Sequence, residues 1–124
     1  MDKAFVERKL KEVTEKIVKE YQPEKIILFG SWAWGEPGLD SDVDLLVVKR
    51  IVKPRLERER ELNKLLFPRI IPMDLLVYTP EELERGVNES RNFFLEDIVR
   101  NGRALYTRPG FEIALYHKPA ELVS

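Results

Sequence analysis

The sequence predicts an α+β (mixed α/β) domain, a small mixed β-sheet flanked by helices, and three observations predict it. Short apolar runs alternate with amphipathic, charge-rich segments over 124 residues, a length that suits one domain with one modest core. The connection over 31–41 is too short for a parallel crossover, which needs about a dozen residues or more, so the runs it joins are expected to pair antiparallel if they pair. The segment 53–69 reads as a helix, long enough to return the chain parallel to the strand before it.

The elements follow in order. Over 2–20, Val6, Leu10, Val13 and Ile17 recur at helical spacing between Lys and Glu, and Pro23 stops the helix. "KIILFG" (25–30) is a short apolar strand ending at a glycine. "SWAWGEPGLDS" (31–41) is turn-rich, with one helical turn at its start. "DVDLLVV" (42–48) is a second strand, and the charged helix over 53–69 opens with Pro54 and stops at Pro68. "IPMDLLVY" (71–78) is a third strand. Thr79-Pro80-Glu81-Glu82 forms a capping box for a short helix ending near Gly86. A further helix spans 90–101 and closes at Gly102, and "RALYT" is a short fourth strand. The tail alternates Phe111, Ile113 and Leu115, a strand-like pattern. We therefore divide the chain into a domain over 1–108 and a C-terminal tail over 109–124, with the Phe111-Ile113-Leu115 face a candidate for docking a partner.

Composition removes several kinds of chemistry. There is no cysteine, which excludes disulfides and cysteine-ligated zinc. A single histidine, His117, in a polar tail argues against a histidine metal site or a Ser-His-Asp triad. A formal net charge of −1 does not suggest direct nucleic-acid binding. No apolar run is long enough to span a bilayer and the N-terminus is charged, so a cytoplasmic location is expected.

The unusual feature is where the acids stand. Residues two apart on a strand share a face, so Asp42 and Asp44 point the same way, with Leu46 and Val48 behind them. An antiparallel first pair sets Gly30-Ser31 beside Asp42 and Asp44. A parallel return brings Asp74, near the head of the third strand, to the same end. Three clustered carboxylates repel one another, and such a cluster usually holds a cation. All-oxygen ligation suits magnesium or manganese. The Gly30-Ser31 turn offers backbone N–H groups, a hydroxyl and room for close approach, which is what a phosphate requires. Metal beside phosphate implies phosphoryl or nucleotidyl transfer.

The run Gly30-Ser31-x3-Gly35-x5-Ser41-Asp42-x-Asp44-Leu45, with Asp74 opening a later strand, resembles the signature of the minimal nucleotidyltransferases, the smallest members of the DNA polymerase β-like superfamily. The likeness covers about residues 25–106. It implies the polymerase β-like nucleotidyltransferase fold and two divalent ions, Mg²⁺ or Mn²⁺. It also implies ATP or another NTP as substrate. By position, Asp42 and Asp44 would ligate both ions, while Asp74 would ligate the catalytic one and help deprotonate the acceptor. Gly30 and Ser31 would hold the β- and γ-phosphates. Many relatives are antitoxins of toxin–antitoxin systems, encoded beside a HEPN-domain ribonuclease, and some transfer AMP to a tyrosine of that toxin. The expectation is thus a Mg-dependent nucleotidyltransferase, an antitoxin moving AMP from ATP to a tyrosine of a HEPN partner. The alternatives are an antitoxin that neutralises by binding alone and a small-molecule nucleotidyltransferase. The chain ends soon after the core, so a partner is expected to complete the acceptor site.

One departure from relatives is Trp32, which stands where they often carry a basic residue, with Trp34 following. Both tryptophans are expected to cap the core rather than to stack on a base. The cluster Lys49, Arg50, Lys53, Arg55, Arg58 and Arg60 is interleaved with Glu57, Glu59 and Glu61, so a salt-bridged, solvated face is expected there.

Overall fold

The computed structural model describes residues 2–35, 37–38 and 41–115. Helix α1 (Lys3–Tyr21) buries Val6, Leu10 and Ile17 along one stripe. Its cap is Asp2, which accepts from the Ala4 N–H at 3.3 Å, and Gln22 leaves it in a left-handed conformation just ahead of Pro23. Then come β1 (Lys25–Phe29), the single turn α2 (Ser31–Trp34), β2 (Val43–Val48), α3 (Arg55–Leu65) and β3 (Met73–Tyr78). The chain continues through α4 (Pro80–Asn88), α5 (Phe93–Asn101) and β4 (Arg103–Thr107).

The four strands form one sheet in the order β3-β2-β1-β4. β1 pairs antiparallel with β2 and β4, and β2 pairs parallel with β3, as the loop lengths require. The sheet is covered on both faces. One face (Ile26, Leu28, Leu45, Val47, Leu75, Val77) packs with α1 and α3. The other (Ile27, Phe29, Leu46, Val48) packs with Leu83 and Val87 of α4 and Leu95 and Ile98 of α5. Central strand β2 is therefore apolar from Leu45 to Val48, all fully buried, each side chain contributing on the order of 1.5–3 kcal/mol. The open edge of β3 is blunted by α3 and the turn after it. Glu59 accepts from the Val77 N–H at 3.3 Å, while Arg58 and Arg69 donate to the Val77 and Met73 carbonyls at 3.3 and 2.7 Å.

The helix expected over 90–101 begins at Phe93 and the strand expected over 71–78 at Met73, and three further elements differ from the sequence expectation. The helix expected over 53–69 is shorter, with Pro54 as its cap and Leu65 as its last residue. Pro68 cannot donate to a carbonyl four residues back, and it drives the residue before it out of the helical region, so the helix unwinds ahead of it. α4 does not stop near Gly86 but runs through it to Asn88. At Gly86 the two helices come close, and a methyl group there would stand 2.7 Å from Leu95 Cδ1. The alternating tail is not a strand over 111–115. Phe111 and Ile113 instead pack against the α4/α5 cluster, and Ala114 is tied to Asn88 and Glu84 at 2.7 and 2.9 Å. Much of the face proposed for docking is thus engaged within the chain, although Leu115 stays exposed. His117 lies outside the described residues.

The basic cluster is salt-bridged as expected, with Lys53 on Glu61, Arg55 on Glu59 and Arg58 on Glu82, but Arg58 is buried rather than solvated. Among the described residues no helix is long and apolar enough to cross a membrane.

Candidate active site

Two strands deliver the acids. Asp44 is the second residue of β2 and Asp74 the second of β3, and the parallel register sets them directly side by side. Both sit where the apolar pattern of their strand gives out, on the face that carries Leu46 and Val48 further along. Asp42 stands one residue ahead of β2, exposed to solvent. Its charge still reaches Asp44. Burial pushes the Asp44 carboxyl above its ordinary value, and the negative charges of Asp74 and Asp42 push it further. Among the described residues no hydrogen bond or salt bridge is made by any of the three carboxylates.

β1 brings the turn to the same place. Phe29, its last residue, is the register partner of Asp44. Gly30 follows with φ at +77°, in the left-handed region, and a methyl group on it would collide with Asp44 Oδ2. No other residue type satisfies both the conformation and the close approach. Gly30 then caps α2, whose first bonds run from the Ala33 and Trp34 N–H groups to the Gly30 carbonyl at 3.0 and 3.2 Å. The N–H groups of Ser31 and Trp32 precede them and have no intrahelical partner. Ser41 shapes the entry to β2. Its N–H donates to the Gly38 carbonyl at 3.2 Å, and its Oγ accepts from the Gly38 N–H at 2.8 Å.

Trp32 is buried as expected and donates its indole N–H to the Ser41 carbonyl at 3.1 Å, tying the glycine turn to the head of β2. Trp34 departs from the core-capping expectation. It is half exposed, and its indole N–H donates to the Asn101 carbonyl at the end of α5.

The five residues singled out in the sequence are thus gathered at one end of one sheet, with Asp42 the most peripheral acid. The donor chemistry is compatible with a hard divalent cation: carboxylate oxygens whose mutual repulsion such an ion would relieve. Among the described residues no three acidic or histidine groups form a metal cluster by themselves, so other oxygen ligands are needed to complete a coordination shell. A groove of about 500 Å³ between α1 and β4 is lined by none of these residues.

The sequence reading missed one neighbour. Phe94, at the start of α5, stands edge-on to Phe29, with ring centroids 5.7 Å apart at 84°. In the sequence Phe94 precedes Leu95 and Ile98 and reads as one more core residue of an amphipathic helix, so no local signal marks it.

A profile of the nucleotidyltransferase domain matches residues 8–112, and the chain belongs to that family. The observed four-stranded mixed sheet with helices on both faces is the nucleotidyltransferase fold. A solved structure of a mutant of the toxin–antitoxin MntA-HpeT aligns with a TM-score of 0.49 and 18% sequence identity, over 80% of this chain and 74% of that one. No curated protein matches the chain.

Proposed function

We propose that this protein transfers a nucleoside monophosphate, AMP from ATP, to a hydroxyl acceptor, and that the acceptor is a tyrosine of a HEPN-domain toxin for which the chain is the antitoxin. The observation that carries the transfer is the juxtaposition of Asp44 with Asp74 and Gly30. It unites paired carboxylates without a cation partner among the described residues and a turn whose glycine permits close backbone approach. The identity of the acceptor rests on the resemblance to the minimal nucleotidyltransferases.

In this reading Gly30 and Ser31 hold the β- and γ-phosphates through N–H groups and the Ser31 hydroxyl. Asp42, Asp44 and Asp74 would hold Mg²⁺ or Mn²⁺, two ions by the family pattern, with phosphate oxygens completing the shell. Such ions supply neutralisation of the charge that develops on the phosphoryl oxygens. Asp74, exposed at the head of β3, takes the proton from the acceptor hydroxyl. The acceptor oxygen bonds to the α-phosphorus, the bond to the β-phosphate oxygen breaks, and pyrophosphate leaves with that electron pair. The turn at Gly30-Ser31 then holds the leaving group.

Mass spectrometry of the acceptor tests this. With ATP, Mg²⁺ and a HEPN-domain partner encoded beside the chain, the wild type adds one or more AMP units to a partner tyrosine. Asp44→Asn adds essentially none. If the wild type adds nothing, yet wild type and variant silence the partner equally, the protein acts by occlusion and the transferase reading fails.

A further inference from the structure

We infer that Phe94 is the platform on which the base of the bound nucleotide stacks, a binding contact of the site proposed above, and the inference rests on that nucleotide reading. Three observations converge on it. Phe29 is the cross-strand partner of Asp44, so their side chains share a face of the sheet, and Phe94 meets Phe29 edge-on at 5.7 Å. Phe94 is therefore one ring removed from the central carboxylate. Phe94 also keeps 54% of its surface exposed while Phe29 beneath it keeps 7%, so one ring is sealed into the core and the other presents a free flank above it. Lastly, β1 lies on the side of β2 opposite β3, so Phe94 approaches from the phosphate-turn side of Asp44, away from Asp74. An acceptor delivering its proton to Asp74 would come from the other side. The ligand part that extends past Gly30-Ser31 toward Phe94 is the sugar and base.

Trp34 meets the C-terminal end of the same helix. Phe94, Asp97 and Asn101 are spaced as one stripe of α5, the Asn101 side-chain amide donates to Asp97 at 2.7 Å, and the Trp34 indole is fixed to the Asn101 carbonyl at 3.1 Å. The indole is thus pinned by its polar edge two turns along from Phe94. The ring that is free of such a tether and touches the Asp44 neighbour is Phe94.

The test is calorimetric titration with ATP and, separately, with inorganic tripolyphosphate, both in MgCl₂, of the wild type, Phe94→Ala and Phe94→Tyr. Loss of one stacking face should weaken ATP binding roughly tenfold or more in Phe94→Ala, with tripolyphosphate affinity unchanged and Phe94→Tyr near wild type. If Phe94→Ala binds ATP as the wild type does, or loses ATP and tripolyphosphate equally, the platform is overturned while the phosphate site stands. Equal wild-type affinity for ATP and tripolyphosphate also overturns it. If the wild type binds neither, the nucleotide reading falls and the platform with it. Should Phe94→Ala unfold by circular dichroism, Phe94→Leu is compared with Phe94→Tyr, and only loss in the leucine variant supports stacking.

Discussion

The two ends of the sheet handle negative charge in opposite ways. At the end where β1 begins and β2 and β4 finish, Glu24 is almost fully buried and answered three times. Arg108 and Arg50 approach it at 3.3 and 3.9 Å, and the Arg50 N–H donates to it at 2.9 Å. Beyond the end of β3, Glu82 forms a two-point bridge with buried Arg58 at 2.7 and 3.1 Å while also closing the α4 capping box. That pairing and the cap hold the Glu82 carboxyl below its ordinary value. At the opposite end Asp44 lies beside Asp74, no cation answers either among the described residues, and the Asp44 carboxyl is raised. A fold that pairs its acids with arginine at one end and leaves neighbouring acids unpaired at the other concentrates its electrostatic cost in one place. Such local cost is a mark of function.

The comparison breaks or sharpens first on chemistry. Asp44→Asn keeps the shape of the side chain and removes the central charge. If that charge serves transfer, the rate falls roughly a thousandfold or more, as loss of several kcal/mol of transition-state stabilisation requires. Single-turnover AMP transfer to the partner measures it. A fall of less than tenfold would return Asp44 to the ordinary acids of the surface. Next in size is Ser31→Ala, which removes the hydroxyl proposed to hold the phosphates. Losing a hydrogen bond to a charged group costs about 1.5–3 kcal/mol, so MgATP binding weakens by roughly tenfold to a hundredfold with the melting temperature unchanged. An unaltered affinity in a folded protein takes Ser31 out of the site.

The acid end was more legible in the sequence than the arginine end, and for a physical reason. Asp44 and Asp74 each stand at the head of an apolar run, and loop lengths alone fix which ends of the strands meet, so their juxtaposition follows from local pattern, whereas the expected three-acid group with Asp42 is not formed among the described residues. The antiparallel and parallel registers observed are the ones those lengths impose. Glu24 carries no such mark and Glu82 reads only as part of a capping box, because their partners Arg108 and Arg58 are far off in sequence and brought near by packing. Gly30 was legible as a turn, but its second role, clearing space for Asp44, is a tertiary contact. Phe94 was hidden for the converse reason. Helical periodicity assigns it to the core, and only the placement of α5 on the sheet leaves its flank exposed. The tail misled because alternation fits an extended segment packed on α4 and α5 as well as it fits a strand.

The arginine end supplies the third test. Glu82→Gln removes one charge from the bridge to Arg58 and weakens the capping box. Breaking a fully buried pair costs about 3–5 kcal/mol, but the Glu82 side chain is 37% exposed and partly screened, so a loss of about 1–2 kcal/mol is expected by urea denaturation. AMP transfer should be unaffected at temperatures where the variant is folded. A variant as stable as the wild type would show the bridge to be ornamental and the contrast between the two ends to be weaker than drawn.

The smallest effect is the most discriminating, because its sign is unusual. The raised Asp44 carboxyl means that the folded chain holds this proton more tightly than the unfolded chain does. As pH rises from the ordinary aspartate range through the raised folded value, the unfolded state loses its proton first, and stability falls. Above the folded value the whole cost is present. The lowered Glu82 carboxyl acts in the opposite sense, its stabilisation being complete above its unfolded value and lost as pH falls through the folded one. Asp44→Asn should therefore raise the melting temperature of the metal-free protein at neutral pH, by a few degrees at most because the side chain is only partly buried. The gain should shrink as the pH is lowered through the window in which wild-type Asp44 takes up its proton. Adding Mg²⁺ with ATP should stabilise the wild type more than the variant and so erase or reverse the difference. Thermal melts of both proteins across that pH range, with and without MgATP, measure all three effects. A variant that melts lower than the wild type at neutral pH without metal would mean that the Asp44 carboxylate is stabilised by its surroundings, and the two ends of the sheet would then be alike.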